Sequence, residues 1–310
     1  MREGDRAGLI AAQARMPGVV RDWREGAEYR ALVRTFADCP LDSAEPAADR
    51  AERLFADAGW ARALLAPLVE ALAGDPFFEP PLRANRDAAA TGVAIFDCPA
   101  VSIAANVTSA VALRRLPPSA SIVFSGLVTV TRYEKAGGAS LRRWWAAPVA
   151  ADFSAAGCLP CTPLAAVTLA DGEVRRADGR VEAQLFDSAS SDMVAFTATI
   201  RAGADPLMRE HRVADGALVR IASADRGASR TEMLLAFLRH AGRADAGPRF
   251  AEASRDAAFH TRWAAMREWL ALDARAALPR LAEMAAGDAN AEVRNAATRT
   301  LPLVEAACLA

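Results

Sequence analysis

The sequence predicts an α+β protein with a helical N-terminal region, an antiparallel β-sandwich centre and an α-helical C-terminal region. Three observations predict it. The hydrophobic period is helical up to about residue 85 and again from about 229, and it falls to two in between. The flanking stretches are rich in Ala, Leu, Arg and Glu, which are good helix formers. The centre carries Asp171-Gly172, Asp178-Gly179 and Asp215-Gly216, pairs suited to tight hairpins. The boundaries that follow are 1–88 for the helical region and its connector, 89–227 for the β-domain and 228–310 for the C-terminal helices.

Taken in order, 25–38 and 46–74 read as helices, with Leu65, Leu68, Val69 and Leu72 expected on one buried face and a kink or fresh start at Pro67. The proline-rich stretch 74–87 reads as a connector that pins Phe77 and Phe78 onto something apolar. Two short strands break at Cys98-Pro99. The stretch 120–133 reads as one strand with Ile122, Phe124, Val128 and Val130 on one face. Alternation returns through Val194, Phe196, Ala198 and Ile200, and a hairpin follows around Asp215-Gly216. Such dense short strands indicate an antiparallel sandwich or barrel. Ser229 with Glu232 forms a capping-box pattern ahead of the next helix. Apolar stripes then run through Trp263, Met266, Leu270, Leu278, Leu281 and Met284, and through Val293, Ala297, Leu301 and Val304.

The 310 residues carry 37 basic and 38 acidic side chains, a net charge of −1. That balance offers no general field for nucleic acid or an anionic membrane. Lys135 is the only lysine, so arginine supplies almost all the positive charge. The opening residues carry no secretory pattern, and no apolar run is long enough to cross a bilayer. Five scattered cysteines suit a reducing compartment, and the expected location is cytoplasmic.

Two resemblances follow from particular residues. The segment LPRLAEMAAGDANAEVRNAATRTLPLV (278–304) resembles a HEAT-type helical repeat, over roughly 50 residues with its flanks. The resemblance implies that Asp288 orders the turn and Arg294 braces neighbouring helices. It also implies a face for a protein or peptide partner. The strand 120–133, then EKAGGASLRRWW and further hairpins, resembles a cupin, a small double-sheet jelly roll. Cupins commonly hold a metal through a glycine followed after five residues by His-x-His, with a later Glu and His. Counted from Gly137, the two histidine positions are Arg143 and Trp145. The sequence therefore departs from the family at its metal ligands. Any iron or other divalent metal would need other residues.

The three histidines, His211, His240 and His260, share no ligand spacing, and His211 is the metal candidate only with distant partners. No GxSxG, GxxxxGK[ST] or GxGxxG occurs where the corresponding chemistry needs it. Cys158 and Cys161 have the spacing of a redox dithiol or half a zinc site. Pro163 and a β-hairpin follow where a redox motif needs a helix, so the pair reads as ordinary thiols in a loop. The densest unusual cluster is SLRRWW (140–145). As a strand it places Arg142 and Trp144 on one face and Arg143 and Trp145 on the other. Arg132, Tyr133, Arg142, Arg143, Trp145 and Arg180 are the candidate ligand-binding residues, and Glu182, Glu210 and His211 the candidate acid–base groups. The same Trp and Arg residues also suit plain packing under a helical layer. Two functions stay open: a non-catalytic binding or accessory protein, set in a bacterial biosynthetic pathway and holding a peptide, a protein or a small anion; or a cupin-like enzyme with a non-standard metal site or no metal.

Overall fold

The computed structural model describes residues 16–57, 59–75, 77–150, 153–224 and 226–309. The opening residues read above for a leader, 1–15, lie outside it. Four helices lead: residues 16–25 (α1), Ala27–Phe36 (α2), Glu45–Ala56 (α3) and Trp60–Gly74 (α4). The α4 helix runs through Pro67 without a fresh start. Its buried residues are Trp60, Ala61, Leu64 and Leu68, while Val69 and Leu72 are exposed. The expected stripe was rotated by part of a turn. Trp60 sets the rotation, because its indole stacks on Phe55 at 5.5 Å and meets Phe196 edge-on at 5.3 Å. Of the two connector aromatics only Phe78 is buried.

The centre contains Arg83–Arg86 (β1), Ala90–Asp97 (β2), Val101–Thr108 (β3), Ser121–Phe124 (β4), Val128–Lys135 (β5) and Ser140–Trp145 (β6). Thr162–Thr168 (β7), Val174–Asp178 (β8), Glu182–Ser188 (β9), Met193–Ile200 (β10), Leu207–Arg212 (β11) and Leu218–Ser223 (β12) complete it, with one short helix, Ala110–Arg115 (α5), after β3. Every recorded pairing is antiparallel. One sheet runs β1-β2-β3-β10-β5-β8; opposite it runs β7-β6-β9, and a third sheet, β12-β11-β4, has β4 beside β9. The orders β3-β10-β5-β8 and β4-β9-β6-β7 are those of a jelly roll, two Greek keys folded face to face.

The expected strand 120–133 is in fact two strands in different sheets. Gly126 turns the chain between them at φ 73°, and a Cβ there would stand 2.8 Å from the Leu207 carbonyl oxygen. Ile122 and Phe124 therefore do not share a face with Val128 and Val130. Gly172 and Gly216 do take positive φ. Gly179 does not, and is small for a different reason: a Cβ would lie 2.4 Å from the Leu127 carbonyl oxygen.

The C-terminal helices are Arg226–His240 (α6), Gly247–Ala253 (α7), Phe259–Leu272 (α8), Ala274–Gly287 (α9) and Ala291–Leu309 (α10). Leu235, Phe250, Met266, Leu281, Met284 and Val293 form their own buried cluster. The α6 helix begins at Arg226, so Ser229 lies within it and is not its cap. Asp288 is buried. It pairs with Arg262 of α8 at 2.6 and 2.9 Å and accepts the Asn290 N–H, while Asn290 caps α10 and donates to the Phe153 carbonyl at 3.1 Å. That last bond ties the helices to the β-domain.

Candidate functional site

Pairing register assigns the two faces of the large sheet. Val128, Val130, Ala198 and Ile200 join one apolar cluster with Phe55, Leu64 and Phe96, so they face the N-terminal helices. The alternate residues then face the opposite sheet. They form cross-strand rows: Ser102, Thr199 and Thr129; then Ala104, Thr197, Thr131 and Arg175; then Asn106, Ala195 and Tyr133. The Oγ1 atoms of Thr131 and Thr197 lie 3.3 Å apart across two strands. Ser, Thr, Asn and Ala fill an interior that Val, Ile and Leu fill on the helical side, and most of these residues are only half-buried.

From the facing sheet come Arg143 of β6 and Glu182 and Gln184 of β9, with Arg143 directly opposite Gln184. Arg143 binds Glu182 in a two-pronged pair, Nε to Oε1 at 2.7 Å and Nη2 to Oε2 at 2.6 Å. Arg175 reaches across from β8 to 3.6 Å from Glu182 and 4.0 Å from Glu173. Those are ion-pair distances, too long for hydrogen bonds. Among the described residues the Arg175 guanidinium donates no hydrogen bond, although its side chain is only 16% exposed and its Nε is fully buried. The Gln184 amide oxygen is buried without a partner as well. Burial pushes the Tyr133 hydroxyl up to about 12, a rise the nearby Arg175 opposes and Glu173 reinforces, so it stays protonated at neutral pH.

Of the residues picked from sequence, the structure pairs Arg143 with Glu182 between the sheets and places Tyr133 on the inner face of the large sheet. Each Glu182 oxygen accepts one hydrogen bond from Arg143, so the carboxylate is held in a charge pair with that guanidinium. Trp145 shares the inner face of β6 but is 44% exposed. The other candidates lie elsewhere. Arg132 points to the helices, donating to the Phe55 carbonyl at 2.7 Å and to Glu134. Arg180 follows the β8–β9 turn and pairs with Asp178 and Glu45. Arg142 lies on the outer face over the Trp144 ring, 4.8 Å from its centroid. Glu210 of β11 binds Ser121 of β4 and Arg220 of β12, and lies away from Glu182. His211 is wholly buried on the same strand, its Nδ1–H donating to the Gly216 carbonyl at 2.8 Å and its ring edge-on to Phe124 at 5.1 Å. Among the described residues no three His, Cys, Asp or Glu side chains group as metal ligands.

Sequence reasoning missed Arg175 and Gln184. The signal for Arg175 was present in the doublet Arg175-Arg176 on a strand, which sends one guanidinium to each face. Arg176 goes to the helices and meets Asp49 at 2.9 Å and Glu45 at 3.5 Å, leaving Arg175 inside. Cys158 and Cys161 are free thiols, and Cys161 is buried with burial raising its pKa. The chain after it is strand β7, not the helix that activates a redox cysteine.

A cleft of about 890 Å³ opens where the sandwich meets the C-terminal helices, with Ser102, Thr199, Leu127, Arg201, Phe259 and Asn290 on its walls. Ser102 and Thr199 are the last inner-face row. The Thr131–Thr197 row beside Arg175 is the next, two residues or about 7 Å further in. No helix among the described residues is long and apolar enough to cross a membrane.

No family model and no curated protein matches the chain. Solved structures with local similarity include the capsular polysaccharide assembling protein CapF from Staphylococcus aureus, at 13% identity over 46% of this chain and 37% of that one, with a TM-score of 0.26. The chain thus spans little more than a third of that protein's length. The DMSP lyases RdDddP and RnDddQII supply another, at 14% identity over 64% of this chain and 94% of the other, TM-score 0.24. Fe(II)-HppE with the alternative substrate (S)-1-HPP is similar at 9% identity over 58% and 94%, TM-score 0.25. At such scores the fold rests on the strand order itself.

Proposed function

We propose that the chain is a non-catalytic binding protein whose jelly-roll interior holds a small acceptor-bearing molecule on the Arg175 guanidinium. The observation that carries this is the state of Arg175: a largely buried cation held at ion-pair distance from its acidic neighbours, whose buried Nε has no acceptor among the described residues. Its two acidic neighbours stand beyond hydrogen-bond reach. A buried donor left without an acceptor costs about 1–3 kcal/mol, more when charged, so natural interiors rarely retain one without a use. The polar, half-buried rows around it and the cleft one row away give a ligand both a lining and a route. Arg143 and Glu182 neutralise one another and brace the wall. In this reading the helical layers on either side are free to meet a protein or peptide partner, which fits an accessory role.

The test is a search for bound small molecules by mass spectrometry after denaturing the purified protein, together with the same search on Arg175→Met. A compound released from the wild type and absent from the variant, with the variant still folded by circular dichroism, is the expected result. Equal recovery from both would remove Arg175 from the reading.

A further inference from the structure

We infer that the ligand of the interior site is a monocarboxylate that also carries a hydrogen-bond donor, such as a hydroxy or amino acid, and not a phosphate. This rests on the binding role proposed for Arg175 and adds the class of ligand.

Charge comes first. The charged groups of the site are Arg143, Arg175, Glu173 and Glu182, two of each sign, so the cluster is formally neutral. A single guanidinium flanked by two carboxylates accommodates one further negative charge poorly and two badly. A dianionic phosphate meets like charge from Glu173 and Glu182 at once. A monocarboxylate presents two coplanar oxygens to the fork of Arg175 and brings half the charge.

Donor and acceptor balance comes second. Among the described residues Arg175 Nε is a buried donor without an acceptor, and the Gln184 amide oxygen is a buried acceptor without a donor. The protonated Tyr133 hydroxyl adds a donor on the Arg175 side, and the Thr131–Thr197 pair can give or take. A plain carboxylate answers Arg175 and leaves Gln184 unmatched. A ligand with both a carboxylate and an O–H or N–H matches both. Gln184 stands two residues along β9 from Glu182, the carboxylate that Arg175 approaches at 3.6 Å, so one small ligand is placed to meet both.

The experiment is isothermal titration of the full chain with butyrate, 2-hydroxybutyrate, 3-hydroxybutyrate, 2-aminobutyrate and inorganic phosphate, in wild type and in Gln184→Met. At least one donor-bearing acid is expected to bind about tenfold or more tighter than butyrate, the worth of one buried hydrogen bond. The preference should collapse in Gln184→Met, and phosphate should give no binding heat. If butyrate binds as well as its hydroxy and amino forms, the donor requirement is overturned while the binding role of Arg175 stands. Tighter binding of phosphate than of any carboxylate overturns the class in the same way. If no acid binds the wild type at millimolar concentration, and Arg175→Met releases no compound the wild type holds, both readings fall. The wild-type comparisons stand by themselves should Gln184→Met fold poorly.

Discussion

At the scale of single residues, the arrangement around Glu182 makes an asymmetric prediction. Glu182→Gln leaves Arg143 and Arg175 together without their shared anion, and should cost about 3–5 kcal/mol in denaturant unfolding. Arg143→Met should cost clearly less, because Arg175 stands 3.6 Å away and can close on the freed carboxylate. Equal losses would mean that Arg175 does not share Glu182. His211 makes a prediction in pH. Burial holds its imidazole below the usual histidine value of 6.5, so the folded protein keeps it neutral where the unfolded chain takes up a proton. The unfolded state then binds more protons, and stability falls as pH drops below about 6.5, by at most about 1.4 kcal/mol per pH unit. His211→Asn keeps a donor for the Gly216 carbonyl but cannot titrate. Its stability should therefore vary less between pH 7 and 5 than that of the wild type, measured by urea unfolding. Of these groups the sequence marked Arg143, Glu182 and His211, because unusual residues on a strand attract notice. It did not mark Gln184, whose meaning depends on which side chain stands across the gap.

At the scale of elements, strand parity was legible and strand membership was not. The alternation of SLRRWW separated Arg142 and Trp144 from Arg143 and Trp145, and the structure turns Arg143 to Glu182 on the inner face while Arg142 lies over the Trp144 ring outside. The same alternation through residues 120–133 hid a break, because apolar residues happen to keep step across Gly126. Period alone cannot report that the chain crosses from one sheet to the other. Gly126→Ala tests the break: positive φ and the 2.8 Å approach to the Leu207 carbonyl should together cost about 1–3 kcal/mol. A thermal midpoint unchanged from wild type would show that the turn relaxes freely. Helix α4 taught a similar lesson. Its stripe was periodic enough to be called a helix, but only the Trp60 contacts with Phe55 and Phe196 fix which way it turns.

At the scale of the whole molecule, the α+β order of helices, strands and helices was plain from composition and period, since each region is long and locally consistent. The interior site was not, because it is assembled from β5, β6, β8, β9 and β10, and its rows exist only once the jelly roll closes. The apolar clusters are separate on the two sides: one joins the N-terminal helices to the large sheet, and another lies wholly within the C-terminal helices. Leu281→Ala should therefore destabilise the C-terminal helices by about 2–5 kcal/mol. In hydrogen exchange, amides of α8 to α10 should lose protection while those of β5 and β10 keep theirs. Loss of protection throughout would show that the two clusters unfold as one.

Strand β5 belongs to both sides of the molecule. Arg132 reaches the Phe55 carbonyl among the helices, while Thr131 and Tyr133 line the interior. Inserting or deleting one residue early in this strand would reverse every side chain after it, delivering a guanidinium to the interior and a tyrosine to the helical core. The length of β5 is thus fixed from two directions at once, and descendants of this chain can vary their turns far more readily than the spacing between Gly126 and Lys135.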